Sequence, residues 1–108
     1  MELRPYHDTE GRSPFERWYD DLDRVAAVRI GSALERLAEG NTSNVRSVGQ
    51  GVSEYRIHFG PGYRIYFAVD SPRLIILLGG GTKQRQRRDI QTAQQHWQDY
   101  RREKRVED

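Results

Sequence analysis

The chain has 108 residues, 35% hydrophobic and 31% charged, with a net charge of +2 and no cysteine. That length supports one core, so residues 1–108 are read as one domain, and the missing thiols exclude disulfides and cysteine-based metal sites. No apolar run approaches the roughly 20 residues needed to cross a bilayer, and MELRPYHDTEG has no apolar signal-peptide core, so the expectation is a cytoplasmic protein with no membrane attachment.

In chain order, residues 2–6 (ELRPY) read as a short first strand, which Pro5 would confine to an edge or a strand end. Ser13-Pro14-Phe15-Glu16 is a helix start, with Ser13 as cap, Pro14 at the first helical position and Glu16 completing a capping box. A short helix through Trp18, Tyr19 and Leu22 follows. A second helix covers residues 24–39, with Val28, Ile30, Ala33, Leu34 and Leu37 as its apolar stripe and Gly40-Asn41 as its stop. The two helices form an αα-hairpin that must pack on something flat. Residues 41–51 read as loop, with room for a strand at 45–48.

Residues 49–66, GQGVSEYRIHFGPGYRIY, read as a β-hairpin turning at Gly60-Pro61-Gly62. With Phe59 placed opposite Tyr63, His58 faces Arg64 and Arg56 faces Tyr66. Side chains alternate along a strand. One face therefore collects Tyr55, Ile57, Phe59, Tyr63, Ile65 and Phe67, and the other Glu54, Arg56, His58, Arg64 and Tyr66. After a turn at Asp70-Ser71-Pro72, the unbroken run 74–78 (LIILL) suits a central strand covered on both faces. Gly79-Gly80-Gly81 breaks that run in this reading. Residues 84–105 read as a helix with one narrow stripe, Ile90, Ala93, Trp97 and Tyr100, and residues 103–108 are expected to fray.

The resulting order is β-α-α-β-β-β-α. An α+β fold follows: a small antiparallel-rich twisted sheet, two N-terminal helices packed on one face, and a C-terminal helix. The N-terminal helices would cover the Tyr55/Ile57/Ile65/Phe67 face. The Arg56/His58/Arg64/Tyr66 face would stay open, or be partly covered by the C-terminal segment.

Charge is distributed unevenly. Residues 1–44 carry 6 basic and 9 acidic groups, residues 45–82 carry 4 and 2, and residues 83–108 carry 8 and 5. The positive charge thus sits with the hairpin and the last helix, which attracts nucleic acid or an acidic protein without choosing between them.

The polar hairpin face is the first candidate for chemistry. A guanidinium fork donates two parallel hydrogen bonds to phosphate, and imidazole exchanges protons near neutrality. RNA cleavage without a metal needs a base for the 2′-hydroxyl, an acid for the leaving 5′-oxygen, and cations around the phosphate. His58, Glu54 and Tyr66 suit the proton steps, and Arg56, Arg64 and Lys83 the charge. The same residue types also suit an ordinary solvated sheet face, and residue types alone do not separate the two.

The other constellations are weaker. Gly79-Gly80-Gly81-Thr82-Lys83 lets backbone approach a ligand but lacks the Walker spacing, so a plain connection is the better reading. The arginines at 85–88 and 101–105 could track a nucleic-acid backbone, although a charge run is usually a solvated helix face. Trp18, Trp97 and Tyr100 read as core contacts. His7 and His96 stand alone, no metal site is visible, and no cofactor is called for.

GNTSNVRSVGQGVSEYRIHFGPGYRIYF followed by LIILLGGGTKQRQRRDIQTAQQHW, with the FERWYDDL helix start, resembles the addiction-module killer proteins. These are HigB-like toxins of the RelE/ParE superfamily of type II toxin–antitoxin systems. The resemblance covers nearly the whole chain and implies a single RelE/ParE-like toxin domain. RelE-like members are ribosome-dependent, metal-independent mRNA endonucleases. On that pattern Arg56 and Arg64 match strand-borne phosphate-binding positions, and Lys83 the basic residue after the last long strand. His58 and Tyr66 match acid/base groups by position. The implied partners are a helix-turn-helix antitoxin, in a heterotetramer or larger complex, and the ribosome with its mRNA. Tyr55 stands where the family usually has Leu, and Thr82 where it has an acidic residue. The superfamily also holds ParE-like inhibitors of DNA gyrase, and an inactive antitoxin-binding relative is a third implied role; fold does not choose among them.

Overall fold

The computed structural model describes residues 1–107. Its elements are β1 (Glu2–Pro5), α1 (Pro14–Asp20), α2 (Arg24–Ala38), β2 (Val45–Gly49), β3 (Val52–Ile57), β4 (Tyr63–Ser71), β5 (Leu74–Thr82), a 3-10 turn over Lys83–Arg85, and α3 (Gln86–Glu107). The five strands form one sheet in the order β1-β5-β4-β3-β2. β1 runs parallel to β5, and all other neighbours are antiparallel. The fold is α+β, with α1 and α2 on one face and α3 on the other. Among the described residues no helix is long and apolar enough to cross a membrane.

Local chemistry sets the element ends. Ser13 accepts a hydrogen bond from the Glu16 amide, with Pro14 in the first turn. Asp23 caps α2 through the Ala26 amide. Gly40, at φ +86°, closes α2: its amide reaches Leu37 O, and the Asn41 amide reaches Arg36 O. Those two bonds satisfy carbonyls the helix leaves open. Pro5 sits on edge strand β1, where its missing donor disturbs no ladder.

The face beneath α1 and α2 packs Phe15, Ile30, Ala33 and Leu37 on Tyr55, Ile65, Phe67, Ile75 and Leu77. This is the apolar hairpin face expected from alternation. Val28, assigned to the buried stripe from sequence, is instead 64% exposed, and Ala26 takes its place inside. The α3 face packs Ala93 and Trp97 on Val52, Tyr66, Ala68, Ile76 and Leu78, with Ile90 and Tyr100 against them. β5 is therefore covered on both sides, as its unbroken apolar run implied.

Three readings need correction. First, the hairpin register: Ile57 pairs with Tyr63, Arg56 with Arg64, and Glu54 with Tyr66. The tip is a five-residue loop, His58–Gly62, closed by the Gly62 amide on Phe59 O. The shift is two residues, so the strand faces survive while the cross-strand partners change. Second, of the open and partly covered alternatives for the polar face, the covered one holds, and more fully than expected. α3 covers it, leaving Glu54 and Tyr66 fully buried and Arg64 3% exposed. Third, the three glycines continue β5 rather than end it. A bulge leaves Leu78 unmatched between the Phe67↔Leu77 and Tyr66↔Gly79 pairs, which flips the alternation beyond it. A side chain on Gly80 would then strike the Trp18 ring at 2.2 Å, and one on Gly81 the Asp89 carboxylate at 1.9 Å.

Residues 41–51 are also more ordered than a loop. Gln50-Gly51 is a two-residue hairpin turn with φ +58° and +82°, joining β2 to β3. Trp97 stands over it, 2.8 Å from where a Gly51 Cβ would lie, and Gln94 donates to Val48 O at 2.9 Å. α3 continues to Glu107 rather than fraying at 103; Asp108 lies outside the described residues.

Candidate functional site

Adjacent strands place Arg56 on β3 directly opposite Arg64 on β4. Arg64 is nearly buried. Its Nη1 donates to Gly62 O at 2.7 Å, and its Nε lies 3.7 Å from Glu54 Oε2 without a hydrogen bond. Gly62 lies against both basic side chains: a Cβ there would sit 3.2 Å from Arg64 Nη1 and 3.5 Å from Lys83 Cβ. Lys83 opens the 3-10 turn and is exposed. Hence Arg56, Arg64 and Lys83 gather at the tip end of the hairpin. Among the described residues neither Arg56 nor Lys83 has a carboxylate partner.

The proton-transfer candidates separate. His58 lies past the end of β3, exposed in the tip loop rather than on the strand face. Glu54 is fully occupied: Arg46 Nε donates to Oε1 at 3.0 Å, Gln86 Nε2 donates to Oε2 at 2.9 Å, and Arg64 stands behind. A dry carboxylate fixed by two donors and ion-paired with Arg64 holds the sheet to α3. The Tyr66 hydroxyl is buried without a hydrogen bond. Burial pushes its pKa upward, and the neighbouring carboxylates of Glu54 and Asp89 push it further, against a smaller pull from Arg64. Asp89 has an unbonded Oδ2 against Gly81, and burial raises its pKa against the pull of Arg85 and Arg88.

The five residues singled out from sequence therefore fall in two layers. Arg56, Lys83 and His58 line the surface at the hairpin tip, and Arg64 and Tyr66 lie beneath. Sequence reasoning missed the Glu54 clamp with Arg46 and Gln86, because its members are 8 and 32 residues from Glu54. It also missed Arg29 and Arg36 of α2, which border a groove with Arg56 and His58. Their spacing of seven, two helical turns, was the available signal.

A family model described as Phage derived protein Gp49-like (DUF891) matches residues 17–98, more than half of the chain. The chain belongs to this Gp49-like family, a family of RelE/ParE-like toxins. The matched stretch includes α2, all of β2 to β5 and the first half of α3, and so every residue of the cation cluster. The Gp49-like chain is also similar to an uncharacterized protein of Haemophilus influenzae. The two are 39% identical over 80 residues, which cover 73% of this chain and 81% of that one.

Proposed function

We propose that this Gp49-like protein is the toxin of a type II toxin–antitoxin module, a HigB-like, ribosome-dependent mRNA endonuclease restrained by a helix-turn-helix antitoxin. The observation that supports it is Arg56 paired across the strands with Arg64, and Arg64 and Lys83 both against Gly62, with the His58 imidazole exposed at the same end of the hairpin. Two of these cations lack carboxylate partners among the described residues, which suits a surface awaiting a phosphodiester.

In this reading the 2′-oxygen of one nucleotide attacks the adjacent phosphorus. Its proton goes to His58, the bond from phosphorus to the 5′-oxygen breaks, the leaving 5′-oxygen takes a proton from water, and a cyclic phosphate remains. Arg56 and Lys83 meet the negative charge that grows on the non-bridging oxygens, and Arg64 holds the loop that positions them. Tyr66, buried beneath α3, stays below the reacting atoms. The chemistry rests on side-chain cations and one imidazole, and no step calls for a metal.

The test is induction of wild type, His58→Ala and Lys83→Ala in a host lacking the antitoxin, followed by mapping of mRNA 5′ ends. Wild type should cut translated mRNA. Losing a general acid–base group should lower the cleavage rate about 10²- to 10⁴-fold, and losing one charge-stabilising donor about 10²-fold. Growth arrest with intact mRNA would overturn the proposal. Double-strand DNA breaks with an SOS response would instead mark a gyrase-directed toxin, and undisturbed growth an inactive relative.

A further inference from the structure

At the sheet edge β2 begins at Val45, opposite Tyr55, so β3 runs on past its neighbour and leaves a notch against α2. The Arg56 amide closes the notch by donating to Asn44 O at 3.0 Å. The notch is a groove of about 420 Å³ bordered by Arg29, Arg36, Asn44, Arg56, His58 and Phe59, and no Asp or Glu lines it. Arg29 and Arg36 project from the same side of α2, seven residues apart.

Arg29 and Arg36 of α2 border the groove beside the Arg56 backbone strand, and neither has a carboxylate partner among the described residues. The Arg29 guanidinium sits 4.4 Å over the Phe59 ring, and Tyr63 stacks beside that ring at 6.5 Å. Like charges held around one hollow repel until an anion enters. An aromatic ring with a guanidinium over it is the kind of surface on which an unpaired base stacks, while arginine forks take phosphate oxygens. An acidic peptide would answer the charge but would leave the ring and its guanidinium without a planar partner.

We infer that this groove binds one unpaired nucleotide of an RNA strand, its base against Phe59 and Arg29 and its phosphate held by Arg36. The inference rests partly on the proposed function, because Arg56 and His58 border both places. It adds a subsite for a nucleotide flanking the cut.

Binding is read with a fluorescent, 2′-O-methylated oligoadenylate about six nucleotides long, which cannot be cleaved, titrated by anisotropy across salt concentrations. Arg29→Ala and Arg36→Ala should each weaken binding about tenfold and flatten the salt slope by about 0.7. Arg36→Lys should restore the slope more than the affinity, because lysine keeps the charge and loses the fork. Phe59→Leu should weaken binding about fivefold or more at unchanged slope. Arg101→Ala, an equal charge loss on the exposed side of α3, should change little. Equal loss in Arg101→Ala and Arg36→Ala, or no loss in the groove variants, overturns the inference. So does a groove variant that keeps RNA but loses an acidic peptide such as oligoglutamate. Intact mRNA in cells together with the expected binding losses sinks the nuclease reading and leaves the groove standing; unaltered cleavage and binding in Arg29→Ala/Arg36→Ala does the reverse.

Discussion

Glu54 is the residue on which the polar interior turns. It is wholly buried, yet two hydrogen bonds and the Arg64 guanidinium share its charge. A buried pair adds little over apolar packing, but removing one partner strands the other. Glu54→Ala should therefore destabilise the protein by about 3–5 kcal/mol, measured by urea unfolding, because Arg64 stays dry without its counter-charge. The same reasoning makes Arg64→Ala a poor probe of chemistry, since its loss confounds folding with function; exposed His58 and Lys83 are cleaner. The glycines at 80 and 81 teach a related lesson. Read in sequence, three glycines look like a break. They are strand residues whose missing side chains make room for Trp18 and Asp89, and only the packed neighbours reveal it.

Among the elements, α3 carries the largest consequence. Its stripe of Ile90, Ala93, Trp97 and Tyr100 was visible in the spacing, and all four pack on the sheet. What that stripe would lie on was not visible: the same periodicity suits either face or an absent partner. Trp97 contacts both the hydrophobic layer and the Gln50-Gly51 turn. Trp97→Ala should cost about 3–5 kcal/mol, and the loss should appear in urea melts together with faster amide exchange in β2 and β3, whose turn it covers. For α1 the Ser13 cap gave the start and for α2 Gly40-Asn41 gave the stop, because these are local hydrogen bonds among residues three to five apart, while the Asp23 cap of α2 went unread. The α2 stripe was less secure. Val28 shares the composition of a core residue but lies on the outward side, and helix spacing leaves the angle of the buried face uncertain by about one residue.

For the whole molecule, the described surface joins an exposed cationic edge to an interior that disfavours charge. His96 illustrates the second property. It lies half-buried against Tyr6, at 5.2 Å between ring centroids, and burial lowers its pKa despite nearby Asp99 and Asp8. A histidine depressed in the folded state binds its proton more readily when unfolded, so stability rises with pH through the window between the two values. Lowering the pH below about 6.5 should thus destabilise the protein, and His96→Gln should flatten that dependence in thermal melts taken between neutral and mildly acidic pH. By itself the sequence determined the element types, the Ser13 cap and the Gly40 stop, the α+β class, the doubly covered β5 and the two hairpin faces. Each follows from side-chain period or from a hydrogen bond within a few residues. Only the tertiary structure decided the cross-strand partners, the burial of Glu54, Arg64 and Tyr66 beneath α3, and the meeting of Arg29 and Arg36 with Arg56. Those depend on where a five-residue loop closes and which face a distant helix covers, and no local interaction encodes either.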